Sequence, residues 1–214
     1  MRIAESCQLR YTFLRANIIL IAVLCAYACS PQTFRQGDLL FQTSSGSDFG
    51  NAVESATADT VCKFAHVGIV IDKRTVIEAI ESGVVLTPID TFLGRDVQTY
   101  IYKLKSEYQY FIPSAIKYCL NQTTAHYDSA FLPNNGKFYC SELICEAFKF
   151  ANNGNDFFPL QPMTFKANGE FLPFWVEWYK NLNKEIPEGV LGSNPTALSH
   201  DGRLFCVTSH HHKK

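Results

Sequence analysis

No run of Lys or Arg occurs in the body of this 214-residue chain, and its 19 basic side chains are balanced by 20 acidic ones. The clustered positive potential that holds a polyanion is missing, which argues against a nucleic-acid partner. No CxxC pair and no Cys/His spacing typical of zinc is found, so no structural metal is expected and no cofactor is implied. Internal repeats and low-complexity segments are missing too, which leaves one packed domain as the default at this length. What is present suits a core: 47% of residues are hydrophobic, and 17 Phe and 10 Tyr supply bulky side chains to fill it.

The N-terminus is written in a different style. Arg2, Arg10 and Arg15 precede "ANIILIAVLCAYA", a short apolar segment that ends in small residues. That is the pattern of a secretory signal, too short to span a membrane comfortably. Cys29 then follows Ala-Tyr-Ala, which resembles a bacterial lipoprotein processing site in which the cysteine becomes the acylated first residue. Cleavage after Ala28 without a lipid is the alternative. Either way the expectation is export, to the periplasm or cell surface, with a membrane-surface attachment if Cys29 is acylated. Of the eight cysteines, Cys62, Cys119, Cys140, Cys145 and Cys206 then remain. An odd set in an exported protein leaves at least one thiol free or paired between chains.

Along the mature chain, "RQGDLLFQTS" reads as a first strand, and Ser47 is placed to cap a short helix. "HVGIVI" and "TVIEAI" are β-branched runs flanking the polar "DKR", a hairpin pattern. "GVVLTPIDTFL" adds a strand ending near Pro88 and a short helix from Asp90, and "VQTYIYKL" another strand. "IPSAIKYCLNQ" starts a helix at Pro113, and "SELICEAFKFA" is a second helix with Leu143, Ile144, Ala147 and Phe148 on one face. "GRLFCVTS" reads as the last strand, and "HHHKK" as a solvated tail without a role. Helices segregated around a mostly antiparallel sheet make an α+β domain.

Cys140 stands where a loop becomes a helix. Its sulfur is expected to face unpaired backbone N–H groups and the positive end of the helix dipole, a setting that favours the reactive thiolate. Read alone, a small buried cysteine at a helix start fits equally well. A cysteine nucleophile needs a base, and the base needs an orienting group. If "DKR" is a three-residue loop, Ile71 pairs with Thr75, Gly68 lies opposite Glu78 and His66 opposite Ile80. His66 and Glu78 then share a face as diagonal neighbours about 7–8 Å apart, a gap a glutamate can bridge. Each would be costly to bury alone, so they are expected to need each other.

With these pieces in hand, the chain resembles the NlpC-type papain-like cysteine hydrolases, in the circularly permuted YiiX/YebB-like branch. The matching segments are "GDLLFQ", "HVGIVI", "VIEAI", "GVVLTPIDTFL", "YDSAF", "YCSELICEAF" and "SNPTAL", from Gly37 to about Leu204, with the histidine preceding the cysteine. The resemblance implies a permuted papain-like fold with an antiparallel sheet or half-barrel packed on helices. It implies Cys140 as nucleophile, His66 as base and Glu78 as the third polar residue. A peptide or acyl-amide substrate is implied, with cell-wall peptides ranked ahead of acyl lipids and a non-catalytic surface-binding lipoprotein as the rival reading. Tyr127 and Asp128 match a position close to the cleft, with a turn-capping place for Asp128 the alternative; Tyr139 and Ser141 flank the nucleophile, and all four are expected to meet substrate.

Other candidates rank lower. His126 precedes Cys140 but lies in a polar loop without an identifiable acid. Cys145 is five positions past Cys140, about 140° around the helix, and cannot share its face. Cys62, Cys119 and Cys206 are read as buried thiols or a disulfide. The aromatics from Phe157 to Trp178 are read as a flap sealing the core, with a substrate wall as the alternative. The expected organisation is a signal over 1–28, a tether over 29–36, one catalytic domain over 37–208 and a basic tail over 209–214.

Overall fold

Short β-branched runs punctuated by polar turns can bury their faces only by pairing side by side, and they do so here in one antiparallel sheet. The computed structural model describes residues 34–56 and 63–211; the signal segment, Cys29, Cys62 and residues 212–214 lie outside the described residues. In chain order the elements are β1 (Leu39–Gln42), α1 (Asp48–Ser55), β2 (His66–Asp72), β3 (Thr75–Ile80), β4 (Gly83–Pro88), α2 (Ile89–Leu93) and β5 (Gln98–Leu104). A 3-10 turn at Ser106–Phe111 leads into α3 (Ile112–Asn121), and α4 (Cys140–Ala151) follows. The last third holds β6 (Gln161–Pro162), β7 (Lys166–Ala167), β8 (Glu170–Phe171), α5 (Pro173–Asn181), β9 (Leu191–Gly192), α6 (Pro195–Ser199) and β10 (Leu204–His211).

The main sheet has the order β10-β5-β1-β2-β3-β4, every neighbour antiparallel. Strand alternation divides its side chains between two cores. Val67 and Ile69 of β2 and Ile77 and Ala79 of β3 join Ile116 of α3 and Leu143, Ile144, Ala147 and Phe148 of α4. Leu40, Val70, Val76 and Ile101 point the other way and meet Ile89 and Phe92 of α2. This is the α+β arrangement expected from the pattern, with the α4 face and the Pro113 helix start where the periodicity puts them. Ser47 caps α1, its hydroxyl accepting from the Gly50 N–H at 3.2 Å.

Two expectations change. The hairpin turn has two residues, Lys73 and Arg74, because Asp72 pairs directly with Thr75 and its carboxylate accepts the Arg74 N–H at 2.8 Å. A bulge between Val70 and Asp72 absorbs the extra residue, so Ile69 opposes Ile77 and Val70 opposes Val76 as the three-residue loop required. The parity survives by a different device. The supposed tail begins later than position 209: Ser209, His210 and His211 pair with Tyr100, Thr99 and Gln98, because β5 still offers backbone partners there.

Candidate active site

His66 is the first residue of β2 and Glu78 lies in the middle of β3. Their shared face is the one carrying Val70 and Val76, away from α4's core. The imidazole Nε2 lies 2.6 Å from Glu78 Oε2. Gly68, between His66 and Val70, keeps the face open: a Cβ there would lie 2.6 Å from Val76 Cγ1 and 3.1 Å from the Phe92 ring. Any side chain at 68 would push against the layer that roofs the pair.

The Glu78 side chain is wholly buried, and its charge is met by a partner the sequence did not suggest. Arg95, just past α2, donates from Nη1 to Oε2 at 2.9 Å and from Nη2 to Oε1 at 2.6 Å. This is the two-point geometry that makes guanidinium–carboxylate pairs strong. The Thr87 hydroxyl donates to Oε1 as well. Arg95 is fixed in turn by the Phe92 ring, 4.5 Å below its guanidinium carbon, and by Gln42 Oε1 at 3.0 Å. Gln42 donates its amide to the Phe92 carbonyl and the Thr99 hydroxyl. Strand parity could have found Thr87, two residues past Val85 opposite Glu78, and Gln42, opposite His66. Arg95 sits in a loop, where no periodicity points to it.

Burial works against charge on both members of the pair, and the hydrogen bonds overcome it. For Glu78, burial would raise the carboxyl, but the bonds and charges of His66 and Arg95 hold it down at about 2. For His66, burial would lower the imidazolium, but hydrogen bonds to Cys140 and Glu78 push it up to about 9. With Nε2 engaged by Glu78, Nδ1 is the ring nitrogen left for Cys140.

Cys140 is the first residue of α4, with Tyr139 as N-cap in extended conformation. The Tyr139 N–H is taken by Glu142 Oε2 at 3.4 Å, while the amides of Cys140 and Ser141 fall in the first turn, where an α-helix has no internal acceptor. Burial pushes the Cys119 and Cys145 thiols up to about 12, which makes them inert. Cys119 was read as a buried thiol or a disulfide partner; it is a free buried thiol. Cys206 is exposed on β10, at variance with the buried reading.

A cavity of about 450 Å³ opens beside Cys140. Tyr127, Tyr139 and Ser141 line it. The Tyr139 hydroxyl accepts the Ser193 N–H at 3.0 Å, and the Ser141 hydroxyl accepts from Ser193 Oγ at 3.0 Å, so both also pin the chain before α6. The Tyr127 phenol is held well above its ordinary value, by burial first and then by the charge of Cys140. Gly83 (φ 110°) begins β4 so close to the Tyr127 loop that a Cβ would lie 2.5 Å from the Ala125 carbonyl, which seats that loop against the sheet. Asp128 is placed differently from the substrate contact expected. It is buried, and its carboxylate accepts from the Ala130 N–H at 3.1 Å and the Leu132 N–H at 2.6 Å, the turn-capping alternative. His126 is exposed and is not among the residues lining the cavity. The aromatic segment does two things: Phe157 and Phe158 seal the main core, while Phe165 and Trp175 line the cavity.

A family model described as permuted papain-like amidase enzyme, YaeF/YiiX, C92 family, matches residues 33–208. The crystal structure of metalloprotein yiiX from Escherichia coli O157:H7 is similar at a TM-score of 0.65 and 22% identity, covering 86% of this chain and 99% of that one. That likeness is one of fold. No curated protein matches the chain.

Proposed function

Because this chain belongs to the permuted papain-like amidase family and is thereby a cysteine hydrolase, we propose that Cys140 is its nucleophile, His66 its base and Glu78 its orienting acid. The observation that carries this reading is the His66 imidazole, whose Nε2 lies 2.6 Å from Glu78 Oε2 and whose imidazolium is raised to about 9, against burial, by its interactions with Cys140 and Glu78. In the proposed reaction the Cys140 sulfur, its proton held by His66, attacks an amide carbonyl and forms a C–S bond. The oxyanion is met by the Cys140 N–H at the start of α4 and by the neutral Tyr127 hydroxyl. The C–N bond breaks as His66 gives its proton to the departing amine. Water, deprotonated by His66, then attacks the thioester and releases the carboxylic acid and the thiol. Glu78 keeps the ring in the tautomer and orientation these transfers need.

The E. coli yiiX protein is described as a metalloprotein, whereas the reaction proposed for this chain uses side chains and water alone. Among the described residues no three His, Cys, Asp or Glu side chains are grouped to hold an ion, and no step above runs through one.

The protein is exported in this proposal, with Cys29 as an acylated first residue; the support is the Arg-flanked apolar segment and the Ala-Tyr-Ala-Cys sequence. Export favours cell-wall peptides as substrates, whereas the cavity beside Cys140 favours an apolar acyl group. Wild type and Cys140→Ala, incubated with wall peptides and with N-acyl amides, test the chemistry by mass spectrometry: products should form with wild type alone. Equal product from both proteins would sink the assignment of Cys140. The mass of the mature N-terminus, with and without Cys29→Ser, tests the lipid.

A further inference from the structure

We propose that Arg95 governs the second half of the reaction: as a positioning residue acting through Glu78, it keeps the His66 ring neutral once the thioester has formed, so that the ring can take a proton from water. This rests on the hydrolase reading above and assigns a role that Cys140, His66 and Glu78 by themselves leave unfilled. The two half-reactions ask opposite things of one imidazole. Release of the amine needs His66 protonated, whereas opening of the thioester needs it neutral.

The charged and titratable groups that bear on His66 come from three places: Cys140 on α4, Glu78 on β3 and, through Glu78, Arg95 in the loop after α2. Two other neighbours of the ring, Phe92 at a centroid distance of 5.9 Å and Gln42 opposite His66 on β1, carry no charge. Burial is the largest influence on the ring and works against its charge; Cys140 comes next and Glu78 after it, both favouring the proton. Acylation removes Cys140 from this balance, because a thioester sulfur has no charge to pair with an imidazolium. What remains is burial against Glu78 alone.

The outcome then turns on how strongly Glu78 attracts the proton. Glu78 Oε2 accepts from His66 Nε2 at 2.6 Å and from Arg95 Nη1 at 2.9 Å, so one oxygen serves both rings of charge. Arg95 Nη2 takes Oε1 at 2.6 Å. The guanidinium is charged at every pH the protein meets, and the carboxylate is wholly buried, where little solvent lies between the partners. Arg95 therefore takes up much of the carboxylate's field, and less is left to hold a proton on His66. The Phe92 ring, 4.5 Å from the guanidinium carbon, and Gln42 Oε1 at 3.0 Å keep the fork on Glu78 although the Arg95 side chain is 31% exposed. In the free enzyme the thiolate makes up the difference, and the imidazolium forms. In the thioester nothing does. The neutral ring then takes a proton from water as the water oxygen bonds to the thioester carbon; the C–S bond breaks, and its electron pair returns to Cys140 as thiolate beside the new imidazolium.

The test uses p-nitrophenyl acetate, whose phenolate leaves without needing a proton, to load the full-length protein with an acetyl group at about pH 5. After a jump to values between about pH 6 and pH 10, intact-protein mass spectrometry follows loss of the acetyl group. Wild type is compared with Arg95→Gln, which keeps donors for Glu78 without the charge, and with Arg95→Lys, which keeps the charge. Decay is read on acylated molecules only, so any misfolded fraction is silent. The acidic limb of deacetylation should lie about one pH unit higher in Arg95→Gln than in wild type, giving decay about tenfold slower below the limb and fully recovered above it; Arg95→Lys should follow wild type. Equal limbs in wild type and Arg95→Gln, or decay slowed by one factor at every pH, would overturn the role of Arg95 and leave the hydrolase reading standing. A limb moved as far in Arg95→Lys as in Arg95→Gln would overturn it too, by showing that the fork and not the charge matters. Wild type that takes up no acetyl group, or Cys140→Ala that takes it up equally, would overturn the hydrolase reading itself.

Discussion

The Arg95 guanidinium holds the wholly buried Glu78 by both carboxylate oxygens, at 2.9 and 2.6 Å, while the His66 ring takes one of the same oxygens at 2.6 Å. One carboxylate is thus shared between a fixed cation and a titrating one. Taking Arg95 away leaves a buried charge poorly compensated. Arg95→Met is expected to destabilise the fold by roughly 3 kcal/mol, the lower end for a buried pair because Arg95 is 31% exposed. Arg95→Lys should recover part of this, since a lysine keeps the charge but loses the fork. Urea denaturation of the three proteins measures it; equal midpoints would show the pair to be passive.

The raised imidazolium predicts a pH profile. His66 must be protonated to release the amine, and its folded value of about 9 places the alkaline limb of kcat/KM near pH 9. Glu78→Gln removes the carboxylate that helps hold this proton, so the limb should move to lower pH as kcat falls. A limb that stays at the same pH would remove Glu78 from the mechanism.

The same two groups couple folding to pH, with opposite signs. Glu78 is lowered from 4.5 to about 2 on folding, so its contribution is present above pH 4.5 and is lost as pH falls towards 2. His66 is raised from 6.5 to about 9, so its contribution is full below pH 6.5 and is lost as pH climbs through 9. Together they favour greatest stability between those limits. Glu78→Gln should flatten both arms in urea titrations from pH 3 to 10, and unchanged arms would assign the pH dependence to other groups.

Gly68 tests the roof over the pair. A methyl at 68 meets Val76 Cγ1 at 2.6 Å and the Phe92 ring at 3.1 Å, and overpacking of this kind costs about 1–3 kcal/mol. Because Phe92 also carries Arg95, Gly68→Ala should lower kcat by more than the loss of folded protein explains. Thermal melts and active-site titration with an alkylating reagent separate the two effects.

Tyr127→Phe removes a hydroxyl from the cavity wall and leaves the ring. As an oxyanion donor Tyr127 should account for roughly a hundredfold in kcat, with little change in KM. A change confined to KM would instead make it a substrate contact.

Much of this site was legible in the chain because the rules that place it are local. Alternation along β2 and β3 puts His66 and Glu78 on one face, and the segment from Tyr139 to Phe148 carries both a helix start and its buried face. Gln42 and Thr87 follow from the same alternation once the strand neighbours are known. The turn was misjudged because a two-residue turn with a bulge and a three-residue loop give the same parity. Arg95 and the aromatic cavity obey no period: their residues are brought together from loops and helices far apart in sequence, by packing onto a sheet already formed. Short-range backbone geometry therefore determined the order of elements and the facing of the His66–Glu78 pair. Which cation neutralises that pair, and what lies beside Cys140, was decided only by long-range burial, which joins residues that no local spacing relates.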